Sequence, residues 1–171
     1  MKTKTQNEQL ENIEIMKADA YNGDADALEC LAWMYFSGDG VDIDKSKGIE
    51  LFRQAAAEGS ASAQCCLGMF YSEGDGIEEN DDKAARFFKL AAESGDSFSQ
   101  LELGYMYLGG RGVAKNEMIA YKWFLLAEAQ AEEGVCHEAR SLEDHLSRAE
   151  IAEGQKLARE FGLDSQLELL S

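Results

Sequence analysis

The feature that most constrains this chain is a period of 36 residues: Leu31, Leu67 and Leu103 recur at that interval, as do Tyr35, Tyr71 and Tyr107. Gly38, Gly74 and Gly110 keep the same register, and so do Gly40, Gly76 and Gly112. Phe52, Phe88 and Phe124 continue it, with Ala55, Ala91 and Ala127 close behind. Residues 31–59 align with residues 67–95 without a gap, and a third copy starts at Leu103. A period of this length marks a stacked array. Each unit is one supersecondary motif that cannot bury its apolar face alone and must lean on its neighbours.

The content of one unit follows from helical geometry. Ala27, Leu31, Ala32 and Tyr35 recur at the i, i+4, i+5, i+8 spacing of a single helical face. Gly68 and Gly104 replace Ala32 in the later copies. A small side chain there lets a partner helix come close, at a cost in helix propensity of about 1 kcal/mol for glycine. The Gly-Asp-Gly turns then stop the first helix, because glycine takes positive φ without penalty. A second helix buries Ile49, Phe52, Ala55 and Ala56 and ends at Gly59, or at Gly95 one period on. Each unit thus reads as two antiparallel helices of about three turns.

The ends of the chain read as caps. Ile15, Met16, Ala20 and Gly23 lie one period before Leu51, Phe52, Ala56 and Gly59, so the first residues form a lone second helix. After Gly134 the period fails: Leu142 and Leu146 re-enter the register only if three residues are inserted. Ser147 and Glu150 then have the spacing of a capping box, opening an amphipathic helix that seals the last repeat. The expected organisation is a single repeat domain over residues 1–164, followed by a tail at 165–171. Within it lie an N-terminal cap helix (1–23), repeats at 24–59, 60–95 and 96–134, and a degenerate repeat with a C-terminal cap helix (135–164). The expected fold class is all-α, a right-handed α-solenoid of antiparallel helix pairs.

Charge excludes two classes of partner. The 33 acidic residues against 16 basic ones give a formal net charge of −17. Such a field repels nucleic acid phosphates and anionic membranes, so neither is an expected partner and a charged partner should be basic. The absence of proline suits a chain that is helical nearly throughout. The first residues lack the apolar core of a signal peptide, and no stretch approaches a membrane span, so a cytoplasmic location is expected.

Chemistry is scarce. Cys30, Cys65, Cys66 and Cys136 follow no ligand spacing, and only His137 and His145 could assist them, so the thiols read as small core residues and no metal is expected. The run from Asp39 to Asp44 lacks the glycine that a calcium loop needs at its sixth position. Cys136 and His137 are adjacent, and neighbours on a helix point about 100° apart, which is wrong for a nucleophile and its base. No phosphate-binding glycine loop, zinc-protease motif or nucleophile elbow is present. No catalytic residue and no cofactor are expected.

The pattern carried by Ala63, Leu67, Gly68, Tyr71, Gly74, Gly76, Ile77, Asp81, Lys83, Ala84, Phe87, Phe88, Ala91, Ala92 and Gly95 resembles the Sel-1-like repeat, a relative of the tetratricopeptide repeat. The resemblance runs over roughly residues 11–164. Gly48, in place of the helical alanine, and Ala131, in place of Gly95, are its departures. It implies an adaptor that holds protein partners, as in signalling, secretion, quality control and envelope complexes, without catalysis. A specific inhibitor or immunity-type protein that neutralises one basic partner is the alternative, and a self-associating array a third. The resemblance also touches a cysteine-rich secreted branch linked to penicillin binding and β-lactamase activity. That branch pairs cysteines within each repeat, whereas Cys65 and Cys66 are neighbours on one helix here, and this reading ranks last.

In stacked helical pairs the first helices line the concave surface, and their free positions are those the core does not use. In the first repeat these are Asp26, Glu29, Trp33, Phe36 and Ser37; in the second, Ser62, Cys65, Met69, Ser72 and Glu73. In the third they are Phe98, Leu101, Tyr105, Leu108 and Gly109. Trp33, Met69 and Tyr105 share one register position and make an expected stripe, apolar towards the third repeat and acidic at Asp26 and Glu29. The expected ligand is a protein or peptide with apolar anchors and basic flanks. The competing reading has these side chains packed against neighbouring repeats.

Overall fold

The computed structural model describes residues 4–130 and 137–168, with side chains placed for 13–130 and 137–162. Every element among these described residues is an α-helix. They are α1 (Lys4–Tyr21), α2 (Ala25–Ser37), α3 (Lys45–Ala57), α4 (Ala61–Glu73) and α5 (Asp81–Glu93), then α6 (Ser97–Gly109), α7 (Glu117–Gln130), α8 (Glu138–Glu143) and α9 (Arg148–Glu168). The helices follow one another as the consecutive pairs that the period predicts. They fall into two compact units, α1–α4 within residues 1–79 and α5–α9 within residues 80–171.

In the first unit the capping chemistry sets where each helix begins. Asp24 caps α2 by accepting from the Ala27 N–H, and Ser60 caps α4 by accepting from the Ala63 N–H. Asp44, part of the calcium-like run, caps α3 by accepting from the Lys47 N–H. Each bond satisfies a donor that the first helical turn leaves orphaned. Gly38 ends α2 at φ 78°, in the left-handed region where glycine alone is unstrained. Ile13, Ala20, Leu28, Leu31, Ala32, Ile49, Phe52 and Ala55 are buried in this unit. The departure at Gly48 has a steric reason: a Cβ there would sit 2.5 Å from the Phe36 ring, which lies over α3.

Several positions differ from the simple register: Ala27 and Ala56, read as members of the buried faces, are half-buried. Ile15 is 55% exposed, and the buried members of α1 among the described side chains are Ile13 and Ala20, one period before Ile49 and Ala56. Ile15 corresponds to Leu51, which is only half-buried on α3 even though α3 packs on both α2 and α4. Helix α1 stands at the end of the unit with α2 as its packing partner, so its outer face has less to cover it. Tyr35 is half-buried, with the Lys47 ammonium 4.4 Å above its ring. Cys30 is exposed on α2, while Cys65 is half-buried and Cys66 buried on α4.

In the second unit, Asn80 caps α5, Asp96 caps α6, and Gly110 ends α6 at φ 70°. Ala120, Tyr121, Phe124, Ala139 and Leu142 form one buried cluster in it, flanked by Leu101, Leu108, Leu146 and Ile151. Helix α8 has six residues where α2, α4 and α6 have 13 each. The capping box forms as read: the Ser147 N–H donates to Glu150 Oε2 at 2.8 Å, and the Glu150 N–H donates to Ser147 Oγ at 3.3 Å. Helix α9 then lies on α7, where Gly154 meets the Tyr121 ring and Phe161 sits edge-on to Trp123 at 5.3 Å. Ala131, Gly134 and Cys136, on which three readings rested, lie outside the described residues.

One polar device escaped the sequence reading. Gln64 Nε2 donates to the Ala56 carbonyl at 3.3 Å, and Gln100 Nε2, one period later, donates to the Ala92 carbonyl at 3.1 Å. Both glutamines are buried, and in each unit they tie a first helix to the end of the second helix before it. A buried amide is tolerated only with such a partner.

Candidate functional site

On the first unit, Asp26, Trp33 and Ser37 are exposed along α2, and Glu29 and Phe36 are half-buried. Trp33 is 45% exposed, yet one side of its indole is held. It meets Phe52 edge-on at 5.1 Å between ring centroids, Phe36 at 5.9 Å and Phe70 at 6.2 Å. Phe36 in turn stacks on Phe70 at 4.6 Å. Phe36 is therefore mostly a supporting ring, and Trp33 is the member of the cluster that reaches solvent. Each such aromatic pair adds about 0.5–1.5 kcal/mol beyond its burial, so the indole is a preset surface. Glu29 accepts a short hydrogen bond from Ser60 Oγ, which ties it to the start of α4. On α4, Ser62 and Glu73 are exposed, while Cys65, Met69 and Ser72 are half-buried.

On the second unit, Phe98 is 45% exposed, with Phe88 6.5 Å away, and Gly109 is exposed at the end of α6. Leu101 and Leu108 are half-buried against the core. Tyr105 is 39% exposed, with its ring edge-on to Phe124 at 5.1 Å. Its hydroxyl donates to Glu138 Oε1 on α8 at 2.7 Å, and the His137 N–H donates to Oε2 at 2.8 Å. The Tyr105 hydroxyl is the main reason the Glu138 carboxyl titrates below its ordinary 4.5. Trp33 and Tyr105 are thus each packed on one side and open on the other.

Helices α6, α7 and α8 enclose an open cleft of about 610 Å³, lined by Tyr105, Leu108, Glu117, Phe124, His137, Glu138, Ser141, Leu142 and His145. Its size falls within the range of ligand pockets. Only Tyr105 and Leu108 of its lining were anticipated from the repeat register. The others come from the segment where the period breaks, and that break was the one available signal. It announces an irregular helix without saying where a void opens. Among the described residues, no group of three or more His, Cys, Asp or Glu side chains is placed to hold a metal ion.

Comparison with known proteins adds the following. The Sel1 repeat family matches residues 25–60, 61–96 and 97–131, frames that begin one residue later than those read from the period. The fold is similar to the crystal structure of a Sel1 repeat protein from Oxalobacter formigenes, with a TM-score of 0.70 and 32% identity over 78% of this chain and 98% of that one. It is also similar to a protective antigen of uropathogenic Escherichia coli strains displaying an SLR fold (TM-score 0.65, 31% identity, 68% of this chain and 25% of that one). Helicobacter pylori cysteine rich protein B matches with a TM-score of 0.54 and 28% identity over 71% of this chain and 92% of that one. Comparison with curated proteins gives no match.

Proposed function

Because the chain belongs to the Sel1 repeat family, whose members generally mediate protein–protein interaction, we propose that it is a non-catalytic cytoplasmic scaffold that holds a protein or peptide on the outward faces of α2, α4 and α6. The observation that carries this reading is the repeated placement of large apolar side chains at the surface of first helices. Trp33 and Tyr105 share a register position and remain 45% and 39% exposed, although each is braced by buried aromatic rings. Braced aromatics that keep one side open are the usual anchors of interfaces, because they lose little entropy on binding. Exposed Asp26 and Glu73, within a chain of net charge −17, favour basic flanks on the partner. Among the described residues no helix is long and apolar enough to cross a membrane.

The test starts from a partner captured with the full chain from its native cell and identified by mass spectrometry. Trp33→Ala and Tyr105→Ala should each weaken its binding by roughly 1–3 kcal/mol in calorimetry, with the fold retained and only part of the thermal stability lost. Loss of most of the thermal stability in both variants would make the stripe core and overturn the assignment.

A further inference from the structure

We propose that the cleft between α6, α7 and α8 is a specificity pocket that takes an aromatic side chain of the partner peptide, with an adjacent arginine or lysine set against Glu138. This rests on the reading of the chain as a protein-binding scaffold and goes further, naming which residues of the partner are read.

The pocket exists because the array ends abruptly. In the first unit α4, with 13 residues, packs on α3 of the pair before it; after α7 the six residues of α8 stand in the corresponding place. Among the described residues, the shortened helix leaves an open cleft against the apolar face of α6 and α7. Phe124 and Leu142, both buried, form the floor, and half-buried Leu108 and exposed Tyr105 form the wall. A concave apolar site of this kind gains most from a rigid ring that displaces its water.

The charge on the rim selects what stands beside the ring. Two carboxylates line the cleft, and they are not equivalent. Glu117 lies 2.8 Å from the Lys115 ammonium. Glu138 accepts from the Tyr105 hydroxyl and the His137 backbone N–H, both neutral donors that fix its position, and the His137 imidazole is the titratable group beside it. A fixed, ionised carboxylate at the lip of an apolar pocket matches a guanidinium or ammonium one residue from the anchor. The net charge of −17 disfavours an acidic peptide in the same place.

The test uses the full chain and a randomised linear peptide library displayed on phage. Enriched sequences should share an aromatic residue next to arginine or lysine, and a synthetic peptide from that set is then measured by calorimetry. Ser141→Trp, made at an exposed position on α8 that lines the cleft, should fill it and weaken this peptide by roughly ten-fold or more. Glu138→Gln should weaken it too, and replacing the peptide's basic residue with alanine should abolish the difference between wild type and Glu138→Gln. The second comparison stands even if Ser141→Trp fails to fold. Enriched peptides without an aromatic residue, or an affinity indifferent to both substitutions, overturn the pocket. If such peptides instead lose affinity with Trp33→Ala, the pocket is wrong and the scaffold reading survives. If no peptide is enriched and no protein is captured from the native cell, both are wrong.

Discussion

At the scale of single residues, the hydrogen bond from Tyr105 to Glu138 joins two parts of the sequence with very different legibility. The position of Tyr105 follows from the period, because Trp33 and Met69 share its register. Glu138 lies beyond the break at Gly134, where the register no longer says which side chain faces which helix. The bond is therefore invisible in the sequence, and so is its electrostatic effect. The Glu138 carboxyl is depressed below 4.5, chiefly by the Tyr105 hydroxyl, so the folded state binds its proton less readily than the unfolded chain does. The contribution to stability is present above the ordinary carboxylate range and disappears as the pH falls through the depressed value. Tyr105→Phe keeps the ring on Phe124 but removes the donor. Carbon NMR titration should then show the Glu138 carboxyl moving up towards 4.5. Urea melts should show the variant weaker than wild type at neutral pH, with this difference vanishing in acid. An unmoved titration would mean that the bond does not form in solution.

At the scale of helices and turns, the period predicts more than it can rank. Gly76 and Gly112 hold the same register position, and both adopt positive φ, at 73° and 63°. The sequence treats them as equals. Their surroundings differ: a Cβ on Gly76 would meet the Lys45 Cβ at 2.9 Å and Ile49 Cδ1 at 3.2 Å, so α3 would have to give by a few tenths of an ångström. A Cβ on Gly112 would collide with the backbone carbonyl of Asp81, which α5 holds in place. Gly76→Ala should therefore lose somewhat more than the about 1–2 kcal/mol penalty of a left-handed alanine, because a small steric shift adds to it. Gly112→Ala should lose more than about 3 kcal/mol, because strain and backbone collision add. Chemical denaturation of both variants checks the order, and equal losses would mean that the α6–α7 turn relaxes freely. The ends of α2 to α6 were legible because the glycines that follow them recur with the period, whereas their capping residues were not read. The six-residue α8 was not, since it is too short to express a periodicity of its own. The glutamine ties at Gln64 and Gln100 were missed for another reason. A polar residue on a first helix reads as solvent-facing until its acceptor is known.

For the molecule as a whole, composition was the most transparent signal. A net charge of −17 acts at distances that no single contact reaches. If the partner is basic, its association rate should fall several-fold as salt is raised from about 0.05 to about 0.5 M, while dissociation changes little. Stopped-flow mixing measures both rates, and an association rate indifferent to salt would remove the case for a basic partner. Where that partner sits was less legible, because exposure depends on how far each side chain is braced by rings that only the fold brings together, as Phe52 and Phe70 do for Trp33.

The placement of α9 across α7 bears on how such a chain changes length over generations. Its packing, with Gly154 on Tyr121 and Phe161 on Trp123, covers the part of α7 that it crosses, so a unit stacked there would meet α9 first. A copy of residues 61–96 inserted before Ser97 would instead follow Asp96, which already caps a first helix, and would deliver a second Asp96 to cap α6 as before. Lineages of this protein can therefore lengthen by internal duplication, with the last pair and its terminal helix carried along unchanged.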